Sequence, residues 1–261
     1  MNSCIITQAK DQSTRLKDWV LYHYEEGFDT FIYYDDHSED DSIEVMRKIS
    51  QDYGINIIIN YSDNMGNKKS SAEMKDSNSY GGDTSIHNRL IRSYNSGLNL
   101  ARSQNPNAIC AIIDVDEFLV SNNGTSLDAI KALMKSREMN HLYINSFDID
   151  DNFNTDKEWY TTQDSTKFRW DYEYRANTMY RTRGKSVCLA SDVIEIPQGP
   201  NYIHVLRDIS DEYFTKFNVE DYDYLRMHHY RKPCMDKNFK FVEDSTLLNK
   251  MIKIREKYEK I

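Results

Sequence analysis

The chain has 261 residues, long enough to bury a substantial core as one large domain or two small ones. Its net charge of -9 excludes a dedicated surface for nucleic acid or anionic membrane and leaves room only for a local basic pocket. With nine glycines and four prolines, collagen-like and proline-rich linkers are excluded too.

The first predicted strand covers residues 3–7. Ser13 or Thr14 is placed to cap a helix running to Glu26, with Leu16, Trp19, Val20 and His23 on its apolar face and Gly27 placed to end it. A second strand, 30–34, terminates in Asp35-Asp36-His37-Ser38. A second helix follows, with Ile43, Met46, Ile49 and Tyr53 inward, and then a third strand at 55–59. This alternation predicts a parallel sheet with right-handed crossovers. Residues 62–85 are polar and read as a long loop, which in a compact domain is uncommon unless functional or disordered. Another helix spans 86–102, with Ile86, Leu90, Leu98 and Ala101 inward, and Pro106 breaks the chain after it.

Residues 108–120 carry the strongest signal, Ala-Ile-Cys-Ala-Ile-Ile-Asp-Val-Asp-Glu-Phe-Leu-Val. A continuous apolar run is what a strand covered on both faces looks like. Acids at its carboxyl end sit where open α/β sheets bind ligands. If the strand runs on through Asp114 and Asp116, the period of two puts both carboxylates on one face and turns Val115 into apolar packing. Paired hard oxygens suit Mg²⁺ or Mn²⁺ held together with substrate phosphates. The bland alternative is that these acids solvate the strand end or cap the next element.

Beyond Val120, Thr125 or Ser126 starts a helix to Ser136, and 141–147 is a strand. Residues 159–201 alternate apolar and charged side chains, as antiparallel strands do; 203–206 is a further short strand. Leu247, Leu248, Met251, Ile254 and Tyr258 give a last helix its apolar face. The four cysteines, Cys4, Cys110, Cys188 and Cys234, show neither zinc spacing nor a disulfide framework. The N-terminus lacks the apolar region of a signal peptide, and no segment reaches membrane-spanning length. The expectation is a soluble, cytoplasmic protein in a reducing compartment.

Four blocks taken together are similar to glycosyltransferases related to family 92 and family 2-like enzymes. They are Lys10-Asp11-Gln12 through Arg15-Leu16-Lys17-Asp18-Trp19 with His23 and Gly27; Tyr34-Asp35-Asp36-His37-Ser38-Glu39-Asp40-Asp41-Ser42; Ile113-Asp114-Val115-Asp116-Glu117-Phe118-Leu119; and His228-His229-Tyr230-Arg231-Lys232-Pro233. Two elements depart from the family pattern. Asp11-Gln12 replaces its Asn-Glu pair, and Asn145-Ser146-Phe147-Asp148 stands for its aromatic-glycine element. The resemblance implies an α/β protein of the GT-A fold, a mixed, mainly parallel central sheet flanked by helices. It implies one domain over 1–261, with nucleotide sugar bound by 1–120 and acceptor by 121–261. The implied reaction moves a sugar of the hexose type from a nucleoside-diphosphate sugar to a hydroxyl of a glycan, protein or lipid-linked acceptor, with inversion, using Mn²⁺ or Mg²⁺.

In that scheme Asp114 and Asp116 hold the cation, with His229 ranked ahead of His204, and His228 last, as a further ligand. For each histidine a hydrogen-bonded structural role weighs about as much. Arg231 and Lys232 suit phosphate oxygens, against the alternative of a solvated basic loop. Thr7 and Asp36, at strand ends, and Arg15, in the opening block, join Asp114 in holding the donor. Asp36 is placed to accept a ribose diol, or else to serve as a turn residue. Asp148 is chosen over Asp150 and Asp151 as the base for the acceptor hydroxyl. Aromatics at Phe168, Trp170, Tyr172 and Tyr174 read as one face of a sheet rather than a sugar platform. Two other readings stand beside this one. One is a GT-A-like domain that binds nucleotide sugar or glycan without transfer. The other is a phosphatase of the haloacid dehalogenase type, disfavoured because the Asp-x-Asp sits on about the fourth strand and is followed by Phe118.

Overall fold

The computed structural model describes residues 1–62, 86–148, 168–170, 184–197, 206, 224–229 and 241–259. The chain opens with β1 (Ser3–Ala9), α1 (Ser13–Glu25), β2 (Thr30–Asp35), α2 (Ser42–Tyr53) and β3 (Asn56–Tyr61). After them come α3 (Ile86–Gln104), β4 (Ile109–Ile112), β5 (Glu117–Ser121), α4 (Ser126–Arg137) and β6 (His141–Asp148). The described elements end with β7 (Phe168–Trp170), β8 (Gly184–Leu189), β9 (Leu225–His229), β10 (Phe241–Glu243) and α5 (Thr246–Tyr258). Of the expected loop at 62–85 all but Ser62 lies outside the described residues, as do most of 159–201 and residues 203–205. Leu206 is a buried bend rather than part of a strand.

Eight strands form one mixed sheet in the order β3-β2-β1-β4-β8-β6-β9-β5, and β10 pairs with β7 in a separate ribbon. The β1–β2, β2–β3 and β1–β4 pairs are parallel, so the carboxyl ends of these four strands share one edge. Antiparallel β8 lies between β4 and β6, β9 runs parallel to β6, and β5 pairs antiparallel with β9. The expected α/β architecture is therefore present, with its parallel crossovers in the first half.

Helices cover both faces. One apolar cluster joins α1, α2, α4 and α5 to the sheet through residues such as Trp19, Phe31, Met46, Leu119, Ile130 and Met251. The other joins α3 to Ile6, Ile32, Cys110 and Ile112. Strand residues buried on both sides explain the uninterrupted apolar runs. Cys4, Cys110 and Cys188 are buried free thiols on neighbouring strands, with the Cys4 and Cys110 Sγ atoms 3.4 Å apart.

Local details correct three expectations. Neither Ser13 nor Thr14 caps α1. Gln12 takes the cap position, and the Ser13 amide donates to Asp40 Oδ2 at 2.8 Å, so a distant carboxylate does the capping. Gly27 follows that helix with φ +101°, a backbone other residues rarely adopt. On α3, Leu98 and Ala101 are buried and Leu90 packs against the core as expected, but Ile86 is exposed, and Arg89 and Tyr94 are buried as well. The run 108–120 is not one strand, as described next. No described helix is long and apolar enough to cross a membrane.

Candidate active site

The apolar run 108–120 breaks at its acids. The Asp114 amide donates to Glu117 Oε2 at 2.8 Å, and the Glu117 amide donates to the Asp114 carbonyl at 3.1 Å. This closes a turn between β4 and β5, so Asp114 and Asp116 sit on a loop and not on one strand face. Periodicity missed it because apolar residues flank the acids on both sides. Val115 does turn into the core, as expected.

Asp114 Oδ2 accepts from Lys185 Nζ at 2.7 Å, and Tyr94 Oη lies 3.5 Å from Oδ1. Lys185 Nζ is also 3.7 Å from Glu117 Oε2. Burial pushes the Glu117 carboxyl above the usual carboxylate range, against the pull of Lys185. Burial alone would lower the Lys185 ammonium, but Asp114 and then Glu117 outweigh it and hold it well above its ordinary value. Neither Lys185 nor Glu117 was singled out from sequence. The available signal for Lys185 was a glycine-lysine step leading into an apolar Val-Cys-Leu run.

Asp116 makes its contacts with other residues of the turn's surroundings. Its Oδ2 is 3.6 Å from His229 Nε2 and 4.0 Å from Arg15 Nη1. Burial lowers the Arg15 guanidinium from its usual value, an effect partly offset by Asp116. His229 ends β9, and its backbone is in register with Glu117 on one side and Asp148 on the other. Asp116, Arg15, His229 and the end of β6 thus converge at one place. His228 points into a different network, with Nε2 3.1 Å from Asp244 Oδ2 and 3.0 Å from Arg226 Nε. Arg226 in turn grips both Asp244 oxygens at 2.7 Å. His204, Arg231 and Lys232 lie outside the described residues.

Asp36, at the end of β2, is buried and gripped by Arg89 from α3, at 2.8 Å to Oδ1 and 2.7 Å to Oδ2; Ser62 Oγ donates to Oδ1 at 2.7 Å. Burial would raise its carboxyl, but the Arg89 and Ser62 hydrogen bonds prevail and hold it below its ordinary value. Thr7, near the end of β1, has its Oγ1 buried without a hydrogen-bond partner among the described residues. The turns after β1 and β2 lock together. The Asp11 amide donates to Ser38 Oγ at 3.0 Å, the Glu39 amide to Asp11 Oδ1 at 2.7 Å and the Gln12 amide to Ser42 Oγ at 2.9 Å. Asp11 and His37 hold positive φ of 53° and 60° within this lattice. Arg89 escaped the sequence reading because it lies between apolar helical positions.

Residues 1–260 match the model of glycosyltransferase family 92. The chain belongs to that family. No curated protein matches this family 92 chain. Among solved structures it is similar to S. aureus TarS 1-349 in complex with UDP, at TM-score 0.47 and 13% identity, covering 87% of this chain and 60% of that one. This family 92 chain thus spans less than two thirds of the length of TarS 1-349. It is also similar to a UDP-glucose pyrophosphorylase complexed with UDP-glucose, at TM-score 0.38 and 11% identity, covering 100% and 99% of the two chains. A third likeness is to UDP-glucose pyrophosphorylase from Acinetobacter baumannii, at TM-score 0.40 and 8% identity, covering 100% and 95%.

Proposed function

We propose that the protein is a metal-dependent, inverting glycosyltransferase of the GT-A kind that moves a sugar from a nucleoside-diphosphate sugar to an acceptor hydroxyl. The observation that carries this reading is the convergence of Asp116, His229 and Arg15 at the β4–β5 turn, in a chain of family 92. Among the described residues no three His, Cys, Asp or Glu side chains gather closely enough to hold a metal alone. The Asp116 carboxylate suits Mn²⁺ or Mg²⁺ and the His229 imidazole suits Mn²⁺ better than Mg²⁺, and such ions take their remaining ligands from water and diphosphate.

Asp116 and His229 would hold the cation, with Asp114 beside them and His204 as a further ligand. The cation supplies Lewis-acid stabilisation of the departing diphosphate. Arg15 adds fixed positive charge next to Asp116, and Arg231 and Lys232, which follow His229 in sequence, would bind phosphate oxygens. Thr7 and Asp36 would face the nucleoside at the edge where β1 and β2 end. Asp148 would take the proton from the acceptor hydroxyl, since the end of β6 lies beside His229. The acceptor class is a glycan, a protein or a lipid-linked sugar. A thermal-shift screen of nucleoside diphosphates and nucleotide sugars, with and without Mn²⁺, tests the reading, because a bound donor raises the melting temperature by mass action. Stabilisation that needs both nucleotide and Mn²⁺ is the expected result. The absence of any shift across the screen would overturn it.

A further inference from the structure

Beneath the acidic turn lies a cation that the proposed chemistry does not use. The Lys185 and Glu117 side chains are each only 3% exposed, while that of Asp114 is 38% exposed. Lys185 Nζ holds one Asp114 oxygen at 2.7 Å, and Glu117 Oε2 holds the Asp114 amide at 2.8 Å. Asp114 is therefore the one member of this group that reaches solvent, and its outer carboxylate is fixed from below at both backbone and side chain.

We infer that Lys185 is a positioning residue that acts through Asp114, holding its carboxylate in one orientation at the β4–β5 turn before a nucleoside diphosphate arrives. The inference rests on the nucleotide-sugar reading above and adds to it a residue with no expected contact to donor or acceptor. Three considerations support it. Fixing an exposed carboxylate in advance removes its rotamer entropy from the cost of binding. The ammonium also neutralises Asp114, so Asp114 and Asp116 can stand in one turn without strong mutual repulsion. Finally, a buried ion pair is often replaceable by apolar side chains at little or no loss of stability, so the fold alone gives weak reason for a lysine there.

The backbone is shaped to deliver this side chain. A Cβ on Gly184 would come within 2.3 Å of the Ile144 carbonyl oxygen, so only glycine lets β8 start tight against β6. The residue directly after that close approach is Lys185.

A double-mutant cycle in the full chain tests the inference: Lys185→Met, Asp114→Asn and the pair together. The measurements are calorimetric affinity for UDP, GDP, CDP and ADP, each with Mn²⁺, and the thermal midpoint of every variant. For the tightest of the four nucleotides, Lys185→Met should weaken binding on the order of tenfold when Asp114 is present, and by less than about twofold in the Asp114→Asn background, as coupled neighbours do. Equal losses in both backgrounds would show that Lys185 does not act through Asp114 and would overturn the inference alone. Failure of the unaltered protein to bind any of the four would instead remove the nucleotide-sugar reading, and the inference with it. If Lys185→Met does not fold, Lys185→Gln runs the same cycle.

Discussion

Two sets of turns meet at the same edge of the sheet and are built in opposite ways. The turns after β1 and β2 are held by short side chains bonded to backbone amides, with Asp11, Ser38, Asp40 and Ser42 satisfying one another's neighbours. The turn after β4 is held by charge, with Asp114, Glu117 and Lys185 packed together and Asp116 in looser contact with Arg15 and His229. Backbone-bonded turns fix shape. A turn made of charges, several of them buried, fixes an electrostatic field, and such fields are arranged where chemistry needs them. Substitutions in the first set should therefore cost stability, and substitutions in the second should cost activity.

The largest expected effect belongs to the charged turn. Asp116→Asn should lower the transfer rate by roughly 10³-fold, the scale for losing one transition-state stabiliser. Its contacts are long, at 3.6 and 4.0 Å, so the thermal midpoint should stay within a few degrees. Steady-state assays with Mn²⁺ and with excess chelator, alongside calorimetric melting, check this. Full turnover in the variant, or in chelator, would remove the metal.

Next comes Arg89→Met, which leaves Asp36 buried beside the hydroxyl donor Ser62 without its guanidinium partner. Breaking a buried pair by removing one partner costs about 3 kcal/mol or more. Urea unfolding should show that loss, and adding Asp36→Asn should recover part of it, because the uncompensated charge is then gone. No recovery would mean that Arg89 stabilises by packing and that this edge is not governed by the ion pair.

These contrasts also explain what could be read from the residues alone. The order β1-α1-β2-α2-β3 was legible because its helices keep a period of 3.6 and its strands are short apolar runs bounded by turn residues, and burial of Leu16, Trp19, Val20 and His23 agrees with it. The break at Asp114 was not, because an apolar run has no period to lose. Lys185 and Arg89 were invisible for a related reason. A charged residue inside a strand or helix pattern reads as a solvent-facing position until the opposing carboxylate is known, and here each partner is remote in sequence: Asp114 for Lys185 and Asp36 for Arg89. Asp116 and His229 were named in advance, and they do come within 3.6 Å. His228 differs from its neighbour only in facing Asp244, which sequence spacing does not reveal.

A third test probes the core under the charged turn. His23 Nδ1 bonds the Trp19 carbonyl at 2.9 Å, and Nε2 accepts the Leu119 amide at 3.3 Å. Burial holds its imidazole down to about 3, slightly countered by the Trp19 carbonyl. Because the folded value lies below the unfolded value of about 6.5, the contribution to stability is complete above pH 6.5. It declines as pH falls from there toward 3, by up to about 1.4 kcal/mol per unit. Asp36, Asp40 and Asp244 are held below the usual carboxylate range, so their losses begin at lower pH. Urea unfolding at pH 6.5 and pH 5 should show a drop in the unaltered protein that is smaller in His23→Gln. An equal drop in both would assign the acid sensitivity elsewhere.

The smallest effect belongs to the backbone-bonded turns. Ser42 Oγ accepts the Gln12 amide at 2.9 Å and donates to Asp40 Oδ1 at 2.5 Å, and the side chain is fully buried. Ser42→Ala removes an acceptor from one partly buried amide and a donor from one carboxylate, at a cost of roughly 1–2 kcal/mol. For a chain of this size that is a fall of about 2–8 °C in melting temperature. Ser42 bears no charge, so the field at the β4–β5 turn is untouched, and the rate at saturating donor well below the melting transition should match that of the unaltered protein. A variant that melts normally but turns over slowly would reverse the division of labour: the interlocked turns would then be shaping the reaction itself, and the acidic turn would no longer be the only place at this edge where geometry sets the rate.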